Sequence, residues 1–222
     1  MTDVELHQRI LAANEAAAAE IRARLRARGT LVVNLISSPG SGKTTLLEAT
    51  VARLRDGLRL AAIEGDIATE RDAQRLQRLG IPAHQILTGG ACHLDARQVR
   101  KALDEAGMTA PDILFIENVG NLICPTSYDL GEDFKVVLLS VTEGEDKPFK
   151  YPGIFSRAEV TVISKMDLLP HVPFRLDDVR SQVAALNPGS RIVLTSAVTG
   201  EGMSEWCELL TSRLEGKRAA VQ

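Results

Sequence analysis

The chain has 222 residues, of which 45% are hydrophobic and 25% charged, a balance that suits a folded domain with a sizeable core rather than a disordered chain. Its 26 Lys and Arg against 29 Asp and Glu give a net charge of −3, which offers no electrostatic case for nucleic-acid binding. Its apolar runs are too short for a membrane span, its start lacks a signal-peptide pattern and its three cysteines suggest no disulfide framework, so we expect a protein of the reducing cytoplasm.

The first predicted element is a long helix over residues 4–28. Apolar residues recur three or four positions apart along it, as expected for a helix with one buried face. They are Leu6, Ile10, Ala13, Ala17, Ile21 and Leu25. Arginines crowd its last turns, where they complement the helix dipole, and Gly29 stops it. We expect an N-terminal helix (1–29) packed on one domain (30–217), followed by a short tail (218–222).

From residue 30 onward, short apolar runs alternate with helical patterns. The predicted strands cover residues 31–36, 58–63, 113–116, 136–141, 160–163 and 192–194, and the predicted helices lie near 43–55, 69–79, 95–107, 175–186 and 203–215. This alternation predicts an α/β fold with a mostly parallel sheet and helices on both faces. Because such sheets bind ligands at the carboxyl ends of their strands, motifs at those ends are the candidates for function.

A glycine-rich turn joins the first predicted strand to the following helix and has the pattern of the phosphate-binding loop of P-loop NTPases. Its candidate nucleotide-binding residues are Gly40, Ser41, Gly42, Lys43, Thr44 and Thr45. Backbone N–H groups of such a loop surround the β-phosphate, Lys43 reaches the β- and γ-phosphates, and the Thr44 hydroxyl ligates Mg²⁺. Ser37 stands where the usual pattern has its first glycine. An ordinary Gly/Ser turn with an exposed lysine is the alternative, which the flanking strand and helix disfavour.

Carboxylates follow two of the predicted strands. Asp66 is a candidate Mg²⁺ ligand, and Asp72 is a candidate for orienting the attacking water. Glu117 ends another strand three residues before Gly120, which resembles the Mg²⁺- and γ-phosphate-sensing segment of P-loop nucleotidases. We expect Glu117 to act in Mg²⁺ binding and catalysis, and the Gly120 amide to follow the γ-phosphate. The alternative is that Asp66 or Thr69 only caps the next helix.

A base-reading element follows the strand at 160–163. Its sequence, Ser-Lys-Met-Asp at 164–167, is close to the Asn-Lys-x-Asp signature of GTPases, with Ser164 in place of Asn. The carboxylate of Asp167 can accept both N1–H and N2–H₂ of guanine, whereas adenine offers no such donor pair. Lys165 can lay its aliphatic stem along the purine. Ser196 and Ala197 match the second guanine-contacting loop, whose backbone N–H can bond guanine O6.

Two thiols and one imidazole form a candidate metal site. Cys92 and His93 are adjacent in a glycine-rich loop, and Cys124 lies seven residues beyond Glu117. This donor set suits Ni²⁺ or Zn²⁺, and buried free thiols are the alternative. Three ligands leave a site incomplete, so water or a second subunit would complete it. Cys207, on the last amphipathic helix, is predicted to be a core residue.

Five blocks of sequence combine these features. They cover residues 38–44 (Ser-Pro-Gly-Ser-Gly-Lys-Thr), 64–66 (Glu-Gly-Asp), 88–96 (Thr-Gly-Gly-Ala-Cys-His-Leu-Asp-Ala), 117–125 (Glu-Asn-Val-Gly-Asn-Leu-Ile-Cys-Pro) and 129–132 (Asp-Leu-Gly-Glu). In these blocks the chain resembles the HypB family, the nickel-incorporation GTPases of [NiFe]-hydrogenase maturation, which belong to the SIMIBI class of P-loop proteins. The resemblance covers nearly the whole chain, and the Cys-His and Glu-Asn-Val-Gly-Asn blocks are specific to the family.

The resemblance implies a slow, regulatory, Mg²⁺-dependent GTPase that forms a homodimer and controls nickel delivery. It implies GTP and GDP, Mg²⁺ and Ni²⁺ (or Zn²⁺ at the same site) as ligands, and a HypA-type nickel chaperone and the hydrogenase large-subunit precursor as partners. It also implies that Cys92, His93 and Cys124 are the metal ligands, shared with the second subunit of a dimer promoted by GTP, metal or both. Some relatives carry a Cys-rich N-terminal motif or a His-rich tract, and the start of this sequence has neither, so we expect no high-affinity nickel storage of that kind.

Three alternative functions remain open. A urease-type nickel accessory GTPase usually presents Cys-Pro-His, whereas Cys92 and His93 are adjacent here. A P-loop kinase acting on a small acceptor has no use for Asp167 or for the metal cluster, and comparing GTP with ATP binding would separate it. A metal-storage protein with a vestigial nucleotide site is disfavoured by the intact Lys43 and Thr44, and measurable GTP turnover would argue against it.

Overall fold

A parallel sheet forms the centre of the molecule. The structure is a computed structural model that describes residues 3–66, 71–108 and 110–220. Its strands are β1 (Leu31–Ser37), β2 (Leu60–Asp66), β3 (Ala83–Leu87), β4 (Ile113–Glu117), β5 (Phe134–Ser140), β6 (Val160–Ser164) and β7 (Arg191–Leu194). All seven described strands are parallel, in the order β3-β2-β4-β1-β5-β6-β7. The predicted fold class is confirmed.

Helices cover both faces of this sheet. They are α1 (Asp3–Arg26), α2 (Lys43–Leu54), α3 (Arg71–Arg78), α4 (Ala96–Glu105), α5 (Lys147–Lys150), α6 (Pro152–Arg157), α7 (Leu176–Leu186) and α8 (Met203–Ala219). Short 3₁₀ turns cover Cys124–Ser127, Val141–Glu143 and Met166–His171. Over the described ranges, none of the helices combines the length and the apolar character that crossing a bilayer requires.

The core is divided between the two faces of the sheet because strand side chains alternate in direction. In β1, Val33 and Leu35 pack in a cluster with residues of α2, α3 and α8, whereas Val32 packs in a second cluster with residues of α1 and α4. A third cluster joins β5 and β6 to α6 and α7. The result is a three-layer arrangement that leaves the carboxyl ends of the strands clear of the core helices.

Some elements differ from those predicted. Strand β3 was not predicted because it pairs with β2 at the sheet edge and carries the polar residues His84 and Gln85, so it lacks the apolar run of a central strand. Strand β2 extends to Asp66, three residues further than predicted, because its last residues pair with β3. The short helices α5 and α6 were also missed. Thr69, the alternative helix cap, lies outside the described residues.

Helix α1 is buried over only part of its predicted apolar face. Ile21 and Leu25 are at most 1% exposed, whereas Ile10 is 37% exposed and Ala13 is also exposed. The side chain of Leu6 lies outside the described part of the structure. Asn14 links this helix to two other segments of the chain. Its side chain donates to the Asp129 carbonyl at 2.8 Å and accepts from the N–H of Ala96, at the start of α4, at 2.8 Å.

The division of the chain into a helix, a domain and a tail stays a prediction. Helix α1 packs against α4, and α8 continues to Ala219, two residues past the predicted end of the domain. Residues 1–2 and 221–222 lie outside the described ranges.

Candidate functional site

The predicted phosphate loop and strand-end carboxylates meet in one cleft of about 480 Å³ at the carboxyl edge of the sheet. Asp66, Asp72, Glu117 and Gly120 line it together with Pro39, Gly40 and residues 42–45 of the loop. Strands β2, β4 and β1, which lead to Asp66, to Glu117 and to the phosphate loop, lie side by side in the sheet. The fold therefore brings together in one place most of the residues that the sequence predicted for phosphate and Mg²⁺.

The phosphate loop is held by its own hydroxyl groups. Gly40 and Gly42 have φ of +76° and +98°, a left-handed backbone that favours glycine and forms the tight turn before α2. Ser37, at the position of the missing glycine, accepts a hydrogen bond from Lys43 Nζ at 2.8 Å and another from the Ser41 hydroxyl. Its hydroxyl thus positions Lys43 in the cleft.

Thr44 and Glu117 form the centre of the candidate Mg²⁺ site. The Thr44 hydroxyl donates to Glu117 Oε1 at 2.9 Å, and Lys43 Nζ lies 4.0 Å from the same oxygen. Burial raises the pKa of Glu117, and the nearby ammonium of Lys43 opposes that rise. Glu117 Oε2 is buried, and among the described residues no N–H or hydroxyl group donates to it, while the carboxyl group of Glu64 interacts with the same side chain. Because a buried carboxylate beside a hydroxyl group is an oxygen donor set for a hard cation, these residues fit Mg²⁺.

Glu64 was not predicted as a site residue. It is 1% exposed and lies opposite Glu117 in the register of β2 and β4. Burial, followed by the negative charge of Glu117, raises the pKa of Glu64 well above its ordinary value. In the sequence, only its position as an acidic residue directly after an apolar run could have indicated a role in the site.

Asp72 lines the cleft from the first turn of α3. It is paired with Arg75 Nη1 at 3.3 Å, and Arg75 Nη2 contacts Glu48 at 2.6 Å. Arg75 also lines the cleft and was not predicted. The pairing places a cation beside the carboxylate that we expect to orient water.

A second, smaller cavity of about 210 Å³ adjoins the phosphate cleft, and Gly42, Thr45 and Lys165 line both. The Ser164 hydroxyl donates to the Ser41 carbonyl at 2.7 Å, and Lys165 Nζ donates to the Gly40 carbonyl at 2.7 Å. Lys165 has φ of +59°, the only positive φ of a non-glycine residue in the described ranges. These contacts fasten the predicted base-reading segment to the phosphate loop.

Asp167 lines the smaller cavity and is oriented by Ser196. The Ser196 hydroxyl donates to Asp167 Oδ1 at 2.5 Å, while the Ser196 N–H donates to the Glu201 carbonyl at 2.9 Å. Since that N–H is already bonded, Ala197 is the better candidate for a backbone donor to the base. Ala197 also lines the cavity.

Cys92, His93 and Cys124 come together as a cluster whose candidate ligand atoms all lie within 4.8 Å of one another. Cys92 Sγ is 3.6 Å from His93 Nδ1. The neighbouring Cys124 thiol raises the pKa of Cys92, and burial lowers the pKa of His93, which favours the neutral, ligating imidazole. Tyr128, which was not predicted, packs against the His93 ring with centroids 3.9 Å apart.

The chain is similar to known proteins of one family. The family model described as CobW/HypB/UreG, nucleotide-binding domain, matches residues 31–194. A hydrogenase maturation factor HypB of Azotobacter chroococcum is 46% identical over 227 residues, which cover 99% of this chain and 74% of that protein.

Two crystal structures are also similar. The hydrogenase maturation factor HypB from Archaeoglobus fulgidus has 40% identity and a TM-score of 0.86, and the match covers 92% of this chain and all of that one. HypB from Helicobacter pylori in complex with nickel has 42% identity and a TM-score of 0.86, covering 95% of this chain and 97% of that one.

Proposed function

We infer the function from one premise: the chain belongs to the CobW/HypB/UreG family, and within it to the hydrogenase maturation factors called HypB. We propose that it is a GTP-hydrolysing nickel metallochaperone that regulates nickel insertion into the [NiFe]-hydrogenase precursor. The main support for this proposal is that the nucleotide cleft and the metal cluster share one segment of chain. Glu117, in the nucleotide cleft, and Cys124, in the metal cluster, lie on the same short stretch of chain after β4.

The residues of the cleft support nucleotide hydrolysis. Lys43 would neutralise charge on the β- and γ-phosphates, and Thr44, Asp66 and Glu117 would hold Mg²⁺. When bound, Mg²⁺ supplies positive charge next to the phosphate oxygens. Asp72 would orient the attacking water. The expected reaction is conversion of GTP to GDP and phosphate.

The smaller cavity supports selection of guanine. The Asp167 carboxylate, held by Ser196, can accept two hydrogen bonds from the guanine edge. The Ala197 amide could donate to O6, and the Lys165 stem could cover one face of the base. An adenine in the same place would leave the carboxylate without its donors.

The thiol and imidazole cluster supports nickel as cargo. Cys92, His93 and Cys124 provide soft donors that suit Ni²⁺, and Zn²⁺ could occupy the same site. A second copy of the chain would complete the coordination, so we propose a homodimer promoted by GTP, metal or both. The proposed partners are a HypA-type nickel chaperone and the hydrogenase large-subunit precursor, in the cytoplasm.

A transfer assay tests this function. Nickel-loaded protein is mixed with the large-subunit precursor and either GTP or a non-hydrolysable GTP analogue, and nickel on each protein is measured by native mass spectrometry. We expect transfer with GTP and little transfer with the analogue. Equal transfer with both, or transfer that is unchanged in a Cys92→Ala variant, would contradict the proposal.

A further inference from the structure

The loop that carries Cys92 and His93 is anchored to the nucleotide site at its beginning. The N–H of Thr88 donates to the carbonyl of Asp66 at 2.9 Å. Asp66 is a candidate Mg²⁺ ligand at the end of β2. The loop therefore starts on the backbone of a residue that we expect to respond to nucleotide.

The same loop is anchored again at its end, through Leu94. The Leu94 side chain is fully buried over Gly65, where an added Cβ would lie only 2.8 Å from Leu94 Cγ. The Leu94 N–H donates to Asn118 Oδ1 at 3.2 Å. Asn118 follows Glu117 directly and is itself 1% exposed. Both ends of the loop are thus fixed to residues next to the candidate Mg²⁺ ligands.

Asn121 makes a further connection in the middle of the cluster. Its Nδ2 donates to the Cys92 carbonyl at 3.3 Å, and its Oδ1 accepts from the Ile123 N–H at 2.8 Å. One side chain therefore bonds the loop of Cys92 and also shapes the turn that leads into Cys124. It directly follows Gly120, which lies against the phosphate loop.

We propose that Asn121 is the positioning residue that couples the nucleotide state to the metal cluster, a statement that rests on the proposed function. The covalent backbone carries a shift of Gly120 to Cys124, whereas Cys92 and His93 lie on a separate loop that is anchored at its two ends to Asp66 and Asn118. The bond from Asn121 to the Cys92 carbonyl makes the second loop follow the first. The ligands then keep their mutual geometry and are presented to the second subunit as one unit.

The test measures nickel affinity in two nucleotide states. Nickel is titrated into the full chain bound to GDP or to a non-hydrolysable GTP analogue, for wild type, Asn121→Ala and Asn187→Ala. Asn187 is a matched control, because it also donates to a backbone carbonyl (Ala158, 3.1 Å) and accepts from an N–H two residues on (Gly189, 3.0 Å). It lies at the end of α7, on none of the segments that line the two sites.

The informative ratio is the nickel dissociation constant of the GDP-bound protein divided by that of the analogue-bound protein. We expect this ratio to fall about 2- to 12-fold in Asn121→Ala, which corresponds to the net free energy of one hydrogen bond. The Asn187→Ala ratio should equal that of wild type. The reciprocal quantity is the preference for the GTP analogue over GDP measured with nickel, divided by the same preference measured without nickel. It should fall by the same factor, which an equal loss of nickel affinity in both nucleotide states would not produce. An Asn121→Ala ratio equal to wild type overturns the inference. A wild-type ratio of one instead contradicts the coupling in the proposed function.

A second variant locates the effect on one bond. Asn121→Asp keeps an oxygen that accepts from the Ile123 N–H but loses the donor to the Cys92 carbonyl. Its added charge changes nickel affinity in both nucleotide states, so the ratio remains the informative quantity. We expect a ratio like that of Asn121→Ala. A ratio like that of wild type would place the coupling in the turn before Cys124 and overturn the role given to the Cys92 bond.

Discussion

Gly120 lies directly against Pro39: a Cβ added to Gly120 would come 2.9 Å from Pro39 Cγ and 3.0 Å from Pro39 N. This approach is closer than carbon atoms tolerate, so only glycine fits. Pro39 belongs to the phosphate loop, and Gly120 to the segment that runs from Glu117 to Cys124. The contact therefore places the segment that leads to the metal cluster within reach of a bound phosphate.

Gly120→Ala should separate the segment from the phosphate loop. Relieving the overlap costs about 1–3 kcal/mol, as in other overpacked sites, so affinity for a non-hydrolysable GTP analogue should fall about 5-fold or more. Isothermal titration calorimetry measures the change. Gly57→Ala is the control, because Gly57 has no atom within 4 Å of an added Cβ. Equal affinities of the two variants would contradict the importance of this contact.

Lys43→Ala should lower GTP hydrolysis about 10²–10³-fold, the usual loss when a positioned charge is removed from such a site. The fold should remain, because Ser41 still donates to Ser37 and the loop keeps its glycines. Lys101→Ala, at a side chain that is 75% exposed, is the control. Turnover is measured at saturating GTP and Mg²⁺, with thermal melting as the fold check. Unchanged turnover would refute the phosphate-loop assignment.

Asp167→Asn should weaken GTP binding and improve binding of xanthosine triphosphate, since an amide can donate to the xanthine oxygen that replaces the guanine amino group. Each lost bond to the carboxylate is worth about 1.5–3 kcal/mol. The amide oxygen can still accept from Ser196, so the pocket should keep its shape. Competition binding with GTP, ATP and xanthosine triphosphate checks this. Equal affinity of wild type for ATP and GTP would sink the guanine assignment.

Asp112 provides a pH-dependent contribution to stability at the opposite end of the sheet. Hydrogen bonds from Arg59, with help from Arg218, lower its pKa to about 2 from an ordinary value of 3.8. A lowered pKa means that the contribution is present above the unfolded pKa and is lost as pH falls through about 2.

Asp112→Asn should therefore reduce the free energy of unfolding by about 1–2 kcal/mol at neutral pH, discounted because Arg59 is largely exposed. The difference from wild type should shrink as the pH falls from about 4 toward 2. Urea unfolding across this range measures it. Asp177→Asn, at a side chain that is 94% exposed, should show little effect at any pH. A difference that stays constant with pH would show that the charge of Asp112 is not involved.

The sequence was sufficient for the fold class and for the residues at strand ends, because those positions follow from the alternation of apolar runs and from known motif spacing. Lys43, Glu117 and Asp167 could be placed in this way. Strand β3 could not, since its alternating, partly polar sequence at a sheet edge gives no buried-strand signal.

Residues that act through contacts between distant segments were not predictable. Glu64 meets Glu117 only because β2 and β4 are neighbours in the sheet, and strand order is not written in local periodicity. Asn121 reaches Cys92 only because two loops fold toward each other. Tyr128 packs on His93 for the same reason. In each case the residue type alone did not indicate a role in the site, which depends on a neighbour that is distant in the sequence.

The segment from Glu117 to Cys124 should couple the nucleotide site to the metal cluster, and nickel titration in two nucleotide states tests this coupling most directly. Nickel is titrated into wild-type protein bound to GDP or to a non-hydrolysable GTP analogue, together with Cys92→Ala, Cys124→Ala and, as a control for a thiol away from the cluster, Cys207→Ala. We predict binding that is about 5- to 150-fold tighter with the GTP analogue, retained in Cys207→Ala and lost in the other two variants. Equal affinity and stoichiometry in both nucleotide states would contradict the coupling, and binding that survives both Cys92→Ala and Cys124→Ala would contradict the site.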